Sequence, residues 1–145
     1  MIKLEILNKK ASYNYFIENN YEAGIVLKGS EIKSIRDGKV SFQEAYITIK
    51  KNEVFIKNMH ISYYEKANLF NHDEKRERKL LLKKKEIVKL KSKIEVEGYT
   101  IIPIKLYFKK QKAKILIGLA KGKKEYDKRE TIKKRDVERE KRKLI

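Results

Sequence analysis

Two histidines and no cysteine leave this chain few routes to covalent chemistry. His72-Asp73 resembles the His-Asp pair of metal phosphohydrolases, but a metal site needs three or four converging ligands, and no further cluster accompanies the pair. His60 lies in a strand-like segment. It reads either as an imidazole satisfied by backbone groups or as a ring that stacks on a nucleobase. Lys121-Gly122-Lys123-Lys124 contains a Gly-Lys step without the upstream glycine spacing of a phosphate-cradling loop, so its lysines read as phosphate contacts around a flexible joint. Disulfides, thiolate metal sites and a Cys nucleophile are excluded, and the inventory points to no enzyme, no metal and no cofactor.

The remaining chemistry is electrostatic. Thirty-eight Lys+Arg oppose 20 Asp+Glu, and the net charge of +18 attracts polyanions, nucleic acid first among them. Lys75-Arg76-Glu77-Arg78-Lys79 runs into Leu80-Leu81-Leu82 and then Lys83-Lys84-Lys85, joining a basic surface to an apolar anchor. Such a run binds phosphate or is simply a solvated loop. Nine tyrosines supply rings for stacking on bases or for filling the core.

These groups need a scaffold, and 145 residues suffice for one body with a core. Residues 45–50 alternate apolar and polar, with Lys51-Asn52 able to turn them into 54–61. Residues 100–108 and 113–120 form a clearer pair around Lys109-Lys110-Gln111-Lys112. There Ala113, Ile115, Ile117 and Leu119 share a face, and Pro103 is expected at an edge or bulge. Residues 13–17 and 23–27 read as two strands flanking a polar bend at Glu18-Asn19-Asn20. Ser30 is expected to cap a short helix over 31–36 that faces Ile32 and Ile35 inward and stops at Asp37-Gly38. A longer helix over 84–97 carries Ile87, Leu90 and Ile94 on one stripe before Gly98. The body, residues 1–120, is therefore expected to be mainly β with accompanying helices, closed as a small antiparallel barrel.

From Lys121 the composition shifts to charged residues with too few apolar ones to bury a face. Residues 121–145 are expected to form a basic C-terminal tail, disordered when free, whose Glu125–Arg129, Glu130–Lys134 and Glu138–Arg142 spacings favour helix on a partner. No apolar run approaches the ~20 residues of a membrane span, and the first residues lack the pattern of a signal peptide, so a cytoplasmic protein is expected.

Ordered words then carry a resemblance. Asn8-Lys9-Lys10-Ala11 is followed by the run from Tyr21-Glu22-Ala23-Gly24-Ile25-Val26-Leu27 through Lys28-Gly29-Ser30-Glu31-Ile32-Lys33-Ser34-Ile35-Arg36. Asn58-Met59-His60-Ile61, Asn71-His72-Asp73, Arg78-Lys79-Leu80-Leu81-Leu82, Gly98-Tyr99-Thr100, Leu119-Ala120-Lys121-Gly122-Lys123-Lys124 and Tyr126-Asp127-Lys128-Arg129 come next in order. Together they resemble the SsrA-binding (SmpB) family along nearly the whole chain; Ser62, Glu74 and Lys83 depart from its usual proline, proline and histidine.

The resemblance implies an oligonucleotide-binding (OB-like) barrel that binds the tRNA-like domain of transfer-messenger RNA and brings it, as a monomer, to stalled ribosomes for peptide tagging. The tail then enters the small-subunit decoding centre and messenger channel as helix. It implies an RNA-facing surface of Tyr21, Glu31, Lys33, Asn58, His60, Arg78, Lys79, Lys121, Lys123 and Lys124. Tyr126, Asp127, Lys128 and Arg129 are implied at the decoding centre. Glu31 has two readings, a contact to a base or ribose and a favourable charge at its helix N-terminus. The rival functions are a general single-strand binder, an RNA-processing enzyme and a permanent ribosomal protein.

Overall fold

The computed structural model describes residues 4–66 and 71–122. Along the chain the elements are β1 (Glu5–Leu7), α1 (Ala11–Asn14), β2 (Tyr15–Ile25), α2 (Gly29–Arg36), β3 (Val40–Ser41), β4 (Tyr46–Lys50), β5 (Glu53–Lys57), β6 (His60–Ile61), β7 (Arg78–Leu81), α3 (Lys84–Glu97), β8 (Thr100–Lys109) and β9 (Lys112–Gly122). Seven strands form one sheet in the order β1-β8-β9-β2-β7-β5-β4, and β3 pairs with β6 beside it.

Both expected hairpins form for the same local reason, but the return strand of the first stops at Lys57: Asn58 turns at φ 60°, and His60–Ile61, expected in the same strand, form β6 paired with β3. Lys51 and Asn52 join β4 to β5 with φ of 51° and 62°, while Lys110 and Gln111 join β8 to β9 with φ of 51° and 65°. Two consecutive left-handed residues give the loop a twist that matches the strands it connects. The second hairpin buries Ile115, Ile117 and Leu119 on the face that alternation predicts. Its register shifts between Pro103 and Lys105, leaving Ile104 as the extra residue of a bulge next to the proline.

The closed barrel expected from strand count is not formed. β1 pairs along the outer side of β8, from Glu5↔Tyr107 to Leu7↔Lys105. The Asn8 N–H then donates to the Ile104 carbonyl at 2.8 Å, and Asn8 Nδ2 donates to the Pro103 carbonyl at 2.8 Å. Pro103 itself has no N–H to offer. β1 and Asn8 thus cover β8 from Pro103 to Tyr107, β4 and β8 do not pair, and the sheet stays open between them.

Residues 13–27 also differ from expectation. Tyr13 and Asn14 end α1, and β2 then continues unbroken through Glu18-Asn19-Asn20, because β9 pairs beside it from Tyr15↔Gly122 to Gly24↔Lys114. The polar step survives as a bulge at Glu18, where the register shifts between Ile17 and Asn19. The same pairing places Lys121-Gly122 inside a strand, where a flexible joint was expected. The rest of the tail, residues 123–145, lies outside the described residues.

α3 has the expected bounds: Ile87 and Leu90 are buried, Ile94 packs partly against the core, and Gly98 ends the helix at φ 71°. Leu90 joins Ile35, Ile56, Met59, Ile61 and Leu80 in one core between the helices and the sheet. None of the described helices is long and apolar enough to cross a membrane.

Candidate nucleic-acid interface

The N-terminus of α2 organises the densest polar cluster. Lys28 stands at the N-cap, and its N–H donates to Glu31 Oε1 at 2.8 Å. Glu31 thus caps its own helix, satisfying one of the amides that every helix start leaves orphaned. Ser30 was expected to do this. Its hydroxyl instead meets His72 Nδ1 at 2.8 Å, while His72 Nε2 donates to the Ile61 carbonyl at 2.8 Å. His72 is buried, and its two ring nitrogens tie it to Ser30 on α2 and to Ile61 on β6. Among the described residues no three His, Cys, Asp or Glu converge on a point.

Glu31 also reaches across to β7. Arg76 Nη2 donates to its Oε1 at 2.6 Å, and Arg78 Nε donates to its Oε2. Glu31 and Arg78 are both 0% exposed. Burial drives the Glu31 carboxyl toward protonation, but the Arg76, Lys28 and Arg78 bonds outweigh it and hold the group below the ordinary carboxylate value. Arg78 is pulled down by the same burial, against the support of Glu31. Two buried opposite charges are tolerated because nearly every donor finds an acceptor. Arg78 Nη1 donates to the Met59 carbonyl at 2.6 Å, and Nη2 donates to the Glu74 carbonyl at 3.2 Å.

Those last bonds set the exposed loop beside them. Met59 is buried and held by Arg78, so Asn58, at φ 60°, projects outward, and His60 follows half exposed. His60 Nε2 meets the Glu74 carboxylate, one of the three positions where the chain departs from the SmpB pattern. Of the two readings of His60, backbone satisfaction is not what occurs; a carboxylate holds the ring at the rim.

Of the remaining expected RNA-facing residues, Tyr21 is half buried against the core. Lys33 is exposed, with its Nζ 5.4 Å from the centre of the Tyr64 ring. Lys79 pairs with Glu53 at 3.3 Å, both half exposed. The ammonium of Lys121 lies 4.6 Å over Tyr99, and that of Lys93 5.6 Å from the same ring. Lys121 pairs beside Phe16 near the start of β2, whereas α2 follows its end, so the two groups sit at opposite ends of an 11-residue strand. Lys123, Lys124, Tyr126, Asp127, Lys128 and Arg129 lie outside the described residues.

Two expectations need correction: Glu31 and Arg78 offer no surface to an RNA, because each is the other's partner inside the body. Three residues outside the expected set contact members of it. Arg76 completes the carboxylate's partners, and Tyr64 and Tyr99 hold lysine ammoniums over their faces. The basic run Lys75-Arg76-Glu77-Arg78-Lys79 was the available signal for the first and the word Gly98-Tyr99-Thr100 for Tyr99, whereas nothing in the sequence separates Tyr64 from the other tyrosines.

An open, mainly antiparallel sheet with a +18 charge and exposed Lys, His and Asn around a rigid ionic knot defines a basic protein of the nucleic-acid-binding kind. The chain belongs to the SmpB family: the family described as SmpB protein matches residues 5–145. It is 56% identical over 133 residues to the SsrA-binding protein of Bacillus pumilus, covering 92% of this chain and 85% of that one. With the SsrA-binding protein of Treponema denticola it shares 52% over 139 residues, covering 96% and 90%. A solved structure described as "tmRNA-SmpB: a journey to the center of the bacterial ribosome" contains a chain that superposes with a TM-score of 0.69 at 45% identity, covering 85% of each.

Proposed function

We propose that this protein is an RNA-binding factor of trans-translation, which binds the tRNA-like domain of transfer-messenger RNA and delivers it to stalled ribosomes for nascent-peptide tagging and rescue. The observation that carries this reading is the match along most of the chain to relatives named SsrA-binding protein, together with a structural neighbour whose description joins tmRNA, SmpB and the ribosome. The protein supplies shape and charge and breaks no bond.

The open sheet acts as an OB-like platform. Lys33, Asn58 and His60 around α2 and β6, with Tyr21 and Lys79, form one RNA-facing surface, and Lys121 with Lys123 and Lys124 forms the other. Lysines neutralise phosphates, while Asn58 and His60 address bases and 2′-hydroxyls. Glu31 and Arg78 act from beneath by fixing the 58–60 loop. Residues 121–145 carry the ribosomal half of the function, with Tyr126, Asp127, Lys128 and Arg129 at the decoding centre. The protein works as a monomer in the cytoplasm, where its ribosomes are.

In a purified translation system stalled on a messenger without a stop codon, adding the full chain with charged transfer-messenger RNA is expected to produce tagged peptide. The RNA without the protein should give none. Equal tagging in both reactions would refute the proposal.

A further inference from the structure

Asn8-Lys9-Lys10-Ala11 has no part in the interface described above, and its position in the fold suggests a separate role. It lies on the seam where β4 and β8 fail to pair, and a cleft of about 240 Å³ opens there between α1, β4 and β8. Buried Ala11, Phe42, Ile47 and Ile101 supply an apolar floor. Asn14, Tyr15, Gln43 and Tyr46 line the cleft, and exposed Lys10 joins them. The side-chain amides of Asn14 and Gln43 make no hydrogen bond among the described residues. Among the described residues no acidic one lines the cleft, although the chain as a whole carries 20.

The chemistry of this lining is selective. Phenol rings present faces on which any base can stack, free amides present a donor and an acceptor to a base edge, and an ammonium attracts the attached phosphate. The volume falls below the ~300–1,000 Å³ usual for pockets that enclose larger small molecules, and it suits a single flat ring. An anionic ligand is favoured, because Lys10 makes the charge of the described lining positive.

We infer that the β4–β8 seam receives one unstacked nucleobase of a partner RNA, with Tyr46 as its stacking platform, the Asn14 and Gln43 amides on its edge and its phosphate at Lys10. The inference rests on the proposed RNA-binding function and adds to it a site distinct from the α2, β6 and Lys121 surfaces. The same base chemistry is available from the tRNA-like domain and from ribosomal RNA.

The test uses the full chain and its Tyr46→Leu, Gln43→Ala and Lys10→Ala variants, all at exposed positions. Each is titrated against tRNA-like domain RNA and against ribosomes at several salt concentrations, and thermal unfolding verifies the fold. Tyr46→Leu is expected to weaken binding roughly tenfold in one arm with the salt slope unchanged, since stacking is lost and no phosphate contact is. Lys10→Ala is expected to reduce the slope of log affinity against log salt by about one. The arm that responds identifies which RNA supplies the base. Parent-like affinities for every variant in both arms would overturn the seam site while leaving the proposed function standing. Failure of the parent chain to bind either RNA would overturn both.

Discussion

Glu31→Ala is expected to lower the free energy of unfolding by roughly 3–5 kcal/mol, the cost of leaving a buried charge without its partner. Arg78 would remain fully buried with its Nε unanswered, and the Lys28 N–H at the start of α2 would lose its acceptor. Against a total stability of about 5–15 kcal/mol such a loss is a large fraction, readable by urea unfolding at neutral pH. The pH dependence follows from linkage. The Glu31 carboxyl lies below its ordinary value of 4.5 in the folded chain, so its contribution is fully present above that pH and is lost as pH falls through the lowered folded value. Between neutral pH and pH 3 the parent chain should therefore lose more stability than Glu31→Ala does. Parallel losses, or a variant as stable as the parent at neutral pH, would show that the buried pair contributes no net stability.

Truncation before Asp127 is expected to abolish tagging on stalled ribosomes while leaving affinity for tRNA-like domain RNA within a few-fold of the full chain. The physical reason is a division of surfaces. Lys33, Asn58, His60 and Lys121 are held by the sheet, α2 and the 58–60 loop, all of which precede residue 127. The removed segment carries Asp127, Lys128 and Arg129 and the charged spacings that favour helix on a partner. RNA titration and the tagging reaction, run on the same truncated protein, check both halves. A large fall in RNA affinity would mean that the tail forms part of the RNA-binding surface and that the two tasks are not separable.

How much of this was legible in the sequence depends on the range of the interactions. The second hairpin and α3 were readable with nearly their observed bounds, and the first as far as Lys57, because alternation, polar turn residues and the Gly98 stop act over a few residues. The break at residues 18–20 was misjudged. Three polar residues look like a bend until β9 is known to pair along the whole of β2 and absorb them as a bulge. Closure of the barrel failed for a similar reason, since nothing near β8 announces that residues 5–8 will take its outer edge.

The site shows the same limit. The words Glu31, Asn58-Met59-His60 and Arg78-Lys79 were recognisable, but their arrangement was not. An acid at a helix start and an arginine in a basic run both look like surface groups, and only the fold reveals that they meet in the core and support the loop between them. Ser30 was a reasonable cap that a longer-range partner, His72, claimed instead. Glu74, noticed only as a departure from pattern, turns out to hold the His60 ring through its carboxylate and to accept from Arg78 through its carbonyl.

Charge alone would let this protein bind many RNAs, whereas the proposed function requires recognition of one folded RNA. The most direct measurement is a competition titration of the full chain against tRNA-like domain RNA, an unrelated structured RNA of equal length and single-stranded RNA, repeated at rising salt. The first RNA is expected to be preferred, and the preference to persist as salt weakens all three, because base and shape contacts survive when phosphate attraction is screened. Equal affinities that collapse together would contradict it and leave a general polyanion binder.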